Sequence, residues 1–239
     1  MSARKTAKYQ VKETIVTVIA EEAYHSVCLD AIYRARADLE LFISKDPYFQ
    51  ATLEPYACPP DASDIIRRMC DATATVGVGP MAAVAGTIAE AAVDAMISAG
   101  AKYAIVDNGG DIALINDETV TVGIYAGESP IKGLALEVPP RDLILGICTS
   151  SGTVGPSISF GNADAALIVS DDVALADAAA TALGNRITDE KALASAFDFL
   201  KEVPAVTGAL GIIGDKMATY GKLPKIVRAY VDDMKITKG

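Results

Sequence analysis

The chain has 239 residues, of which 51% are hydrophobic by a broad count but only 6% aromatic, and it carries a formal net charge of −10. That length suffices for one large core, and the acidic balance speaks against general nucleic-acid binding, since phosphates need Lys and Arg. A small anionic ligand held by backbone N–H groups and a metal remains compatible with it.

The N-terminus is charged and lacks the apolar h-region of a secretory signal. Tyr9 to Ile19 alternates and is rich in Val, Ile and Thr, which predicts a strand. Glu21 to Ile43 has helical spacing, with Val27, Ala31, Ala35, Leu39 and Phe42 on the buried side, and Asp46-Pro47 ends it. The lone histidine, His25, sits in this pattern and reads as an ordinary half-buried residue. A Pro- and aromatic-rich loop follows to Pro60, with Tyr48, Phe49 and Tyr56. A second helix is expected from a cap at Asp61 or Ser63 to about Ala72. Its Arg67-Arg68 pair reads as a solvated face or, more sharply, as a phosphate contact.

Thr73 to Val76 looks β-like, and Gly77-Val-Gly79-Pro-Met-Ala82 after it fits a G-x-G-x-x-A dinucleotide fingerprint. Met81 to Ala99 is then helical, with Gly100 as its stop. Tyr103 to Val106 is a strand, and Asp107 at its end is a candidate ribose acid for an NAD-binding dehydrogenase. It lies somewhat late for that role. Strands are then expected at Asp111 to Ile115, Val120 to Tyr125, Gly133 to Val138 and Leu143 to Cys148, as an antiparallel meander. That pattern is not a repeat of βα units. No segment offers about 20 uninterrupted apolar residues, so no membrane span is expected. Cys28, Cys58, Cys70 and Cys148 include no C-x-x-C pair and read as reduced thiols of a cytoplasmic protein.

From Cys148 to Asn185 a small-residue loop, Thr149-Ser150-Ser151-Gly152, leads through a Gly/Ser/Asn run to a strand at Ala165 to Val169. An alanine-rich helix follows. Asp177 and Thr181 lie one turn apart on it, hence on one face. A carboxylate and a hydroxyl so placed can hold magnesium together with a ligand's phosphates. The bland alternative is a solvated Asp177 with Thr181 bonded back to the helix. A helix from Asp189 to Val203, a strand near Ala209 to Ile213, a hairpin through Met217 to Tyr220 and a loose tail through Lys235 and Lys238 complete the chain. The class is α+β, with antiparallel sheets packed on helices in a single domain over 1–239.

Four of these pieces occur in the order found in the ApbE-type flavin transferases. Gly79 to Asp94 resembles their glycine-alanine, helix, then Asp segment. Asn108-Gly109-Gly110-Asp111 resembles their N-x-G-G-D/N element, though alone it would read as a tight hairpin turn. Thr149 to Gly152 resembles their T-S-G loop, and Ala176 to Ala182 their A-D-A-x-x-T-A helix. The chain looks most like the shorter, cytoplasmic ApbE-like family of methanogenic archaea. The resemblance implies an ApbE-like fold and a FAD or FMN pocket lined by Asn108, Gly109, Gly110, Asp111, Thr149, Ser150, Ser151 and Gly152. It implies magnesium at Asp177 and Thr181, with Asp177 also the catalytic candidate, and transfer of FMN from FAD to a protein acceptor.

Two departures stand out. The family's His-Ile-x-Asp-Pro element is replaced by Gly155 to Asn162, where Ser157 and Ser159 stand in the histidine's region and neither is an effective base unaided. Ala85-Gly86-Thr87 stands where a Lys-Gly is usual. Members of the smaller family that the chain resembles look linked to sulfur assimilation and homocysteine formation, so the resemblance implies a non-transferase role there as the second reading, and NAD-dependent dehydrogenation is the third. The partners expected are a nucleotide or flavin, a protein acceptor and a second copy of the chain, with no nucleic acid and no membrane.

Overall fold

The computed structural model describes residues 3–152 and 160–229. The chain opens with β1 (Arg4–Val11) and β2 (Thr14–Glu21), then α1 (Glu22–Lys45), a single turn α2 (Tyr48–Ala51) and α3 (Asp64–Val76). A 3-10 turn, Pro80–Ala83, runs directly into α4 (Val84–Ser98). The strands β3 (Ala104–Asn108), β4 (Asp111–Asn116), β5 (Val120–Ile124), β6 (Leu134–Val138), β7 (Arg141–Ser150) and β8 (Ala165–Ser170) come next. After α5 (Val173–Arg186) come a 3-10 helix at Ser195–Glu202 and the strands β9 (Val206–Ile213), β10 (Lys216–Gly221) and β11 (Lys225–Arg228).

Eight strands form one antiparallel sheet in the order β1-β2-β3-β4-β7-β8-β9-β10, and β11-β6-β5 form a second, smaller one. The centre of the large sheet is buried on both faces, and the period of two sorts its side chains. Ala166 and Ile168 of β8 face the helices, whereas Ala165, Leu167 and Val169 face the small sheet and meet Val122 and Leu136. This explains why β8 reads as a continuous apolar run and not as an alternating one. The α+β class with antiparallel sheets is thus as expected.

Several local expectations are corrected. The single strand over Tyr9 to Ile19 is a hairpin, β1 and β2 paired from Arg4↔Glu21 to Val11↔Thr14. Its turn lacks Asn-Gly; Lys12 itself takes the left-handed conformation at φ 54°. Thr73 to Val76 is the last turn of α3, not a strand, and Gly77 at φ 76° ends that helix. Gly77 to Ala82 therefore follows a helix and cannot be a Rossmann strand-to-helix turn, which removes the dehydrogenase reading. Gly79 is required for another reason: a Cβ there would lie 2.1 Å from the Thr52 carbonyl oxygen. The meander is interrupted, because β5 and β6 leave the main sheet and β4 pairs with β7. Asp189 to Val203 holds turns and a 3-10 helix in place of the expected helix, and β11 was not foreseen.

The segment Pro80–Ser98 is long and apolar enough to cross a membrane by length and composition. Here α4 packs between α1, α5, β3 and β4, with Ile88, Ala92, Val93 and Met96 fully or almost fully buried. The four cysteines are free thiols. His25 is buried, its Nδ1 2.9 Å from the Tyr9 hydroxyl and its Nε2 3.3 Å from the Ala20 carbonyl.

Candidate functional site

The site residues are positioned by three elements. The β3–β4 turn carries Asn108 to Asp111, with Gly109 at φ 72° and Gly110 at φ 106°, both in the region that glycine tolerates best. The Gly110 N–H donates to Asp107 Oδ1 at 2.9 Å, which fixes the turn. The register pairs Asp111 with Cys148, so the turn projects beside the end of β7. A Cβ on Gly110 would lie 3.7 Å from the Thr149 carbonyl. β7 in turn runs along α5. At one end Gly146 lets Val173 and Ala176 approach; at the other, Gly184 faces Ser150. Asn108 to Asp111, Thr149, Ser150 and the α5 helix are therefore brought together. Ser151 and Gly152 continue past the strand and bond back to the Ala163 carbonyl, at 3.3 Å from Ser151 Oγ and 2.9 Å from the Gly152 N–H.

Asp177 is not solvated. It is 7% exposed, and its Oδ2 accepts from the Gly86 N–H at 2.8 Å. Gly86 lies in the first turn of α4, which has no side-chain cap of its own. Asp177 thus caps the helix from outside, satisfying donors that an N-terminus leaves free and placing negative charge at its positive end. The approach requires a glycine, since a Cβ on Gly86 would fall 2.7 Å from both Asp177 Cβ and the Val173 carbonyl. Asn108 holds the same turn: its Nδ2 donates to the Ala85 carbonyl at 3.0 Å. Its amide N–H is thus directed at protein backbone, a use the motif alone did not reveal. Thr181 lies one turn further along α5 and is half-buried.

Burial pushes the Asp177 carboxyl up to about 7, against the Gly86 and Ala85 N–H groups that lower it. Asp111 is also raised, by burial first and then by the charges of Asp177 and Asp107; the Cys148 thiol and the Thr149 backbone partly offset this. Cys148 is itself raised by burial and by Asp111 and Asp177. Its Sγ lies 3.7 Å from the Val173 carbonyl. Cys148 is the member that sequence reasoning missed; Asp107 enters it only as a candidate ribose acid, and Ala85-Gly86 only as a departure from Lys-Gly. The register of β4 with β7 would have exposed Cys148, and the missing Lys-Gly already pointed to Ala85-Gly86.

The arrangement is an acidic cluster of hard oxygens. Asp111 and Asp177 repel each other, and what lowers Asp177 is backbone N–H alone. A divalent cation fits that chemistry. Among the described residues no group of three or more His, Cys, Asp or Glu is arranged to hold one. Water and ligand phosphate would have to complete the shell, as is common for magnesium. Ser157 and Ser159 lie outside the described residues, as does the tail with Lys235 and Lys238.

Arg68 is elsewhere. It pairs with Asp64, Glu90 and Asp94 at 3.0–3.2 Å, so its charge is matched within the protein, and the phosphate-contact reading gives way to a structural one. The cavity of about 390 Å³ beside it, lined by Glu90, Asp172 and Leu175 among others, contains none of the candidate site residues.

A family model described as "AbpE bacteria" matches residues 1–199. A UPF0280 protein of Methanocella arvoryzae is 78% identical over 236 residues, covering 99% of this chain and 96% of its own. One from Methanosarcina acetivorans is 60% identical over 232 residues, covering 96% and 92%. In three dimensions the chain resembles the apo flavinyl transferase ApbE of Pseudomonas stutzeri, with TM-score 0.57, 12% identity and coverage of 93% and 95%. Flavin transferase ApbE of Vibrio cholerae gives 0.58, 10%, and 92% and 97%. At such identities the likeness is one of fold.

Proposed function

Since the chain belongs to the family described as "AbpE bacteria", among UPF0280 relatives in methanogens, we propose that it binds a flavin nucleotide where the β3–β4 turn, the end of β7 and α5 meet. The observation that carries this reading is Asp177: a buried carboxylate on α5, tied to the first turn of α4 and facing Asp111. The Gly86 and Ala85 N–H groups offset only part of the cost of burying this carboxyl near Asp111. A cation with an anionic ligand supplies the remainder.

Each part of the chain has a role in this proposal. Gly109 and Gly110 let the backbone approach a pyrophosphate closely. Thr149 and Ser150 offer hydroxyls along the other wall, whereas the Ser151 hydroxyl and the Gly152 N–H are used on the Ala163 carbonyl and shape the turn that follows. Asn108 keeps the Ala85 carbonyl and the start of α4 in place. Asp177 and Thr181, with Asp111 alongside, would hold magnesium, which when bound neutralises charge on the phosphates. Asp177 is also the candidate base for an acceptor hydroxyl. Its carboxyl, pushed up to about 7, is matched to proton transfer near neutral pH when no metal holds it.

The test is thermal unfolding with FAD, FMN or NAD, each with and without magnesium, together with the absorption spectrum of the purified protein. A ligand selective for the folded state at about a hundred times its Kd adds about 2.7 kcal/mol. The expected result is magnesium-dependent stabilisation by a flavin nucleotide. Protection by NAD with none by FAD or FMN would overturn the proposal.

A further inference from the structure

The four thiols of the chain are not equivalent. Cys28, Cys70 and Cys148 are buried, whereas Cys58 is half-buried. Cys58 lies between Pro55 and Pro59, in a stretch that is neither helix nor strand, next to exposed Ala57. Its side chain packs on the core that contains Cys70 and is in hydrogen-bond contact with the Cys70 thiol. Cys28 and Cys148 have no second thiol beside them. Cys70 is held rigidly in the middle of α3, with Ile66, Met69 and Thr73 buried around it. The loop is fastened on either side of Cys58. The Thr52 N–H donates to the Tyr48 carbonyl at 2.9 Å and the Ala62 N–H to the Pro59 carbonyl at 3.1 Å, while the Tyr56 hydroxyl donates to Asp46 Oδ2 at 2.6 Å. Among the described residues, Ala57 and Cys58 themselves make no backbone–backbone hydrogen bond. One thiol is therefore fixed, and the other sits on backbone that can shift to meet it.

We propose that Cys58 and Cys70 are a reactive dithiol, which closes to a disulfide by exchange with a small-molecule disulfide and reopens under a small thiol. The exchange starts at Cys58, the thiol that solvent reaches. Its thiolate attacks one sulfur of the small disulfide, which forms a mixed disulfide and releases the first small thiolate. Burial holds the Cys70 thiol well above its ordinary range, and Cys58 adds to the rise, so Cys70 is not the group that begins the reaction. Being held against Cys58, it has only to lose its proton to the released thiolate in order to attack the Cys58 sulfur and expel the second small thiolate. The small disulfide gains two electrons and two protons and becomes two thiols; the two cysteines give up the same. The new bond fastens the loop to α3, close to where Thr52 abuts Gly79 and the chain turns towards α4.

The test treats the reduced full chain, folded in buffer, with oxidised glutathione, then alkylates it and reads intact and peptide masses. The expected product has lost the mass of two hydrogens, with the Cys58 and Cys70 peptides joined and Cys28 and Cys148 still reduced, and dithiothreitol reverses it. Because the bond constrains the unfolded chain, the oxidised form should melt about 2 °C or more above the reduced one. Cys70→Ala should stop at one glutathione on Cys58, and Cys58→Ser should take up none while folded, with circular dichroism as the check on both variants. A wild type that does not react, that stops at the Cys58 mixed disulfide, or that joins the two cysteines only in urea overturns the proposal. So does an oxidised chain that melts below the reduced one, since the fold could then not hold the bond.

Discussion

At the scale of single residues, Asp177 has two duties: it caps α4 through Gly86, and it contributes charge to an acidic cluster with Asp111 and Asp107. They separate under substitution. Asp177→Asn keeps an oxygen for the Gly86 N–H and removes the repulsion with Asp111, so stability by urea unfolding should change by less than about 1 kcal/mol. Magnesium-dependent stabilisation should nevertheless vanish. Asp177→Ala strands a buried donor and should cost about 1–3 kcal/mol more than Asn. If Asn and Ala prove equally destabilised, the capping role is wrong. Gly86→Ala probes the same contact from the other side. Its Cβ would meet Asp177 and the Val173 carbonyl at 2.7 Å, and an overpacked core position costs about 1–3 kcal/mol. A variant as stable as wild type would show that α4 and α5 can move apart.

At the scale of elements, the packing of α3 on α4 makes stability depend on pH. Glu90 of α4 is 12% exposed at its side chain and 3.2 Å from Arg68 of α3. Burial still dominates and pushes its carboxyl up to about 7; Arg68 lowers it, while Asp172 and Asp94 add to the rise. The native state therefore holds a proton that the unfolded chain releases, between the ordinary carboxylate pKa of about 4.3 and about 7. Through that window the unfolded state binds fewer protons, so stability falls as pH rises. At 1.36 kcal/mol per unit the loss is at most on the order of 4 kcal/mol. Glu90→Gln should flatten this part of the stability profile, and a slope unchanged in the variant would locate the effect in another group. The elements also show how far local pattern reaches. α1, α4, β8 and α5 could be read from periodicity and terminators, because each has a long run and a clear stop. Thr73 to Val76 could not: its β-branched residues suggest a strand, but packing of α3 on the core overrides so short a preference.

At the scale of the whole molecule, the layers decide what chemistry is available. The only histidine of the chain is committed to Tyr9 and the Ala20 carbonyl beside α1. The described part of the site thus offers carboxylates and hydroxyls as bases. A positioned base contributes on the order of a hundred-fold or more. FMN transfer from FAD to an acceptor threonine, followed by in-gel flavin fluorescence, should therefore be slow or undetectable while nucleotide binding persists. Efficient transfer that disappears in Asp177→Ala would show instead that a carboxylate suffices. The three-layer core carries its own expectation. Leu167 of β8 is about fully buried between the large and small sheets, so Leu167→Ala should cost about 2–5 kcal/mol by chemical denaturation. A smaller loss would mean that the small sheet collapses onto the cavity.

The sequence by itself determined the class and the face shared by Asp177 and Thr181, because these follow from local periodicity and spacing, and it carried the four segments in the order of the family that it resembles. It also marked Asn108 to Asp111 and Thr149 to Gly152 as glycine- and hydroxyl-rich turns. Only the tertiary structure decided that β4 skips β5 and β6 to pair with β7, and this register brings Asp111 to Cys148 and Gly110 to Thr149. Only it showed that Asp177 is buried against the start of α4. Both are contacts between residues far apart in the chain, and non-local pairing is set by which surfaces the layers can bury together. No local pattern encodes that choice.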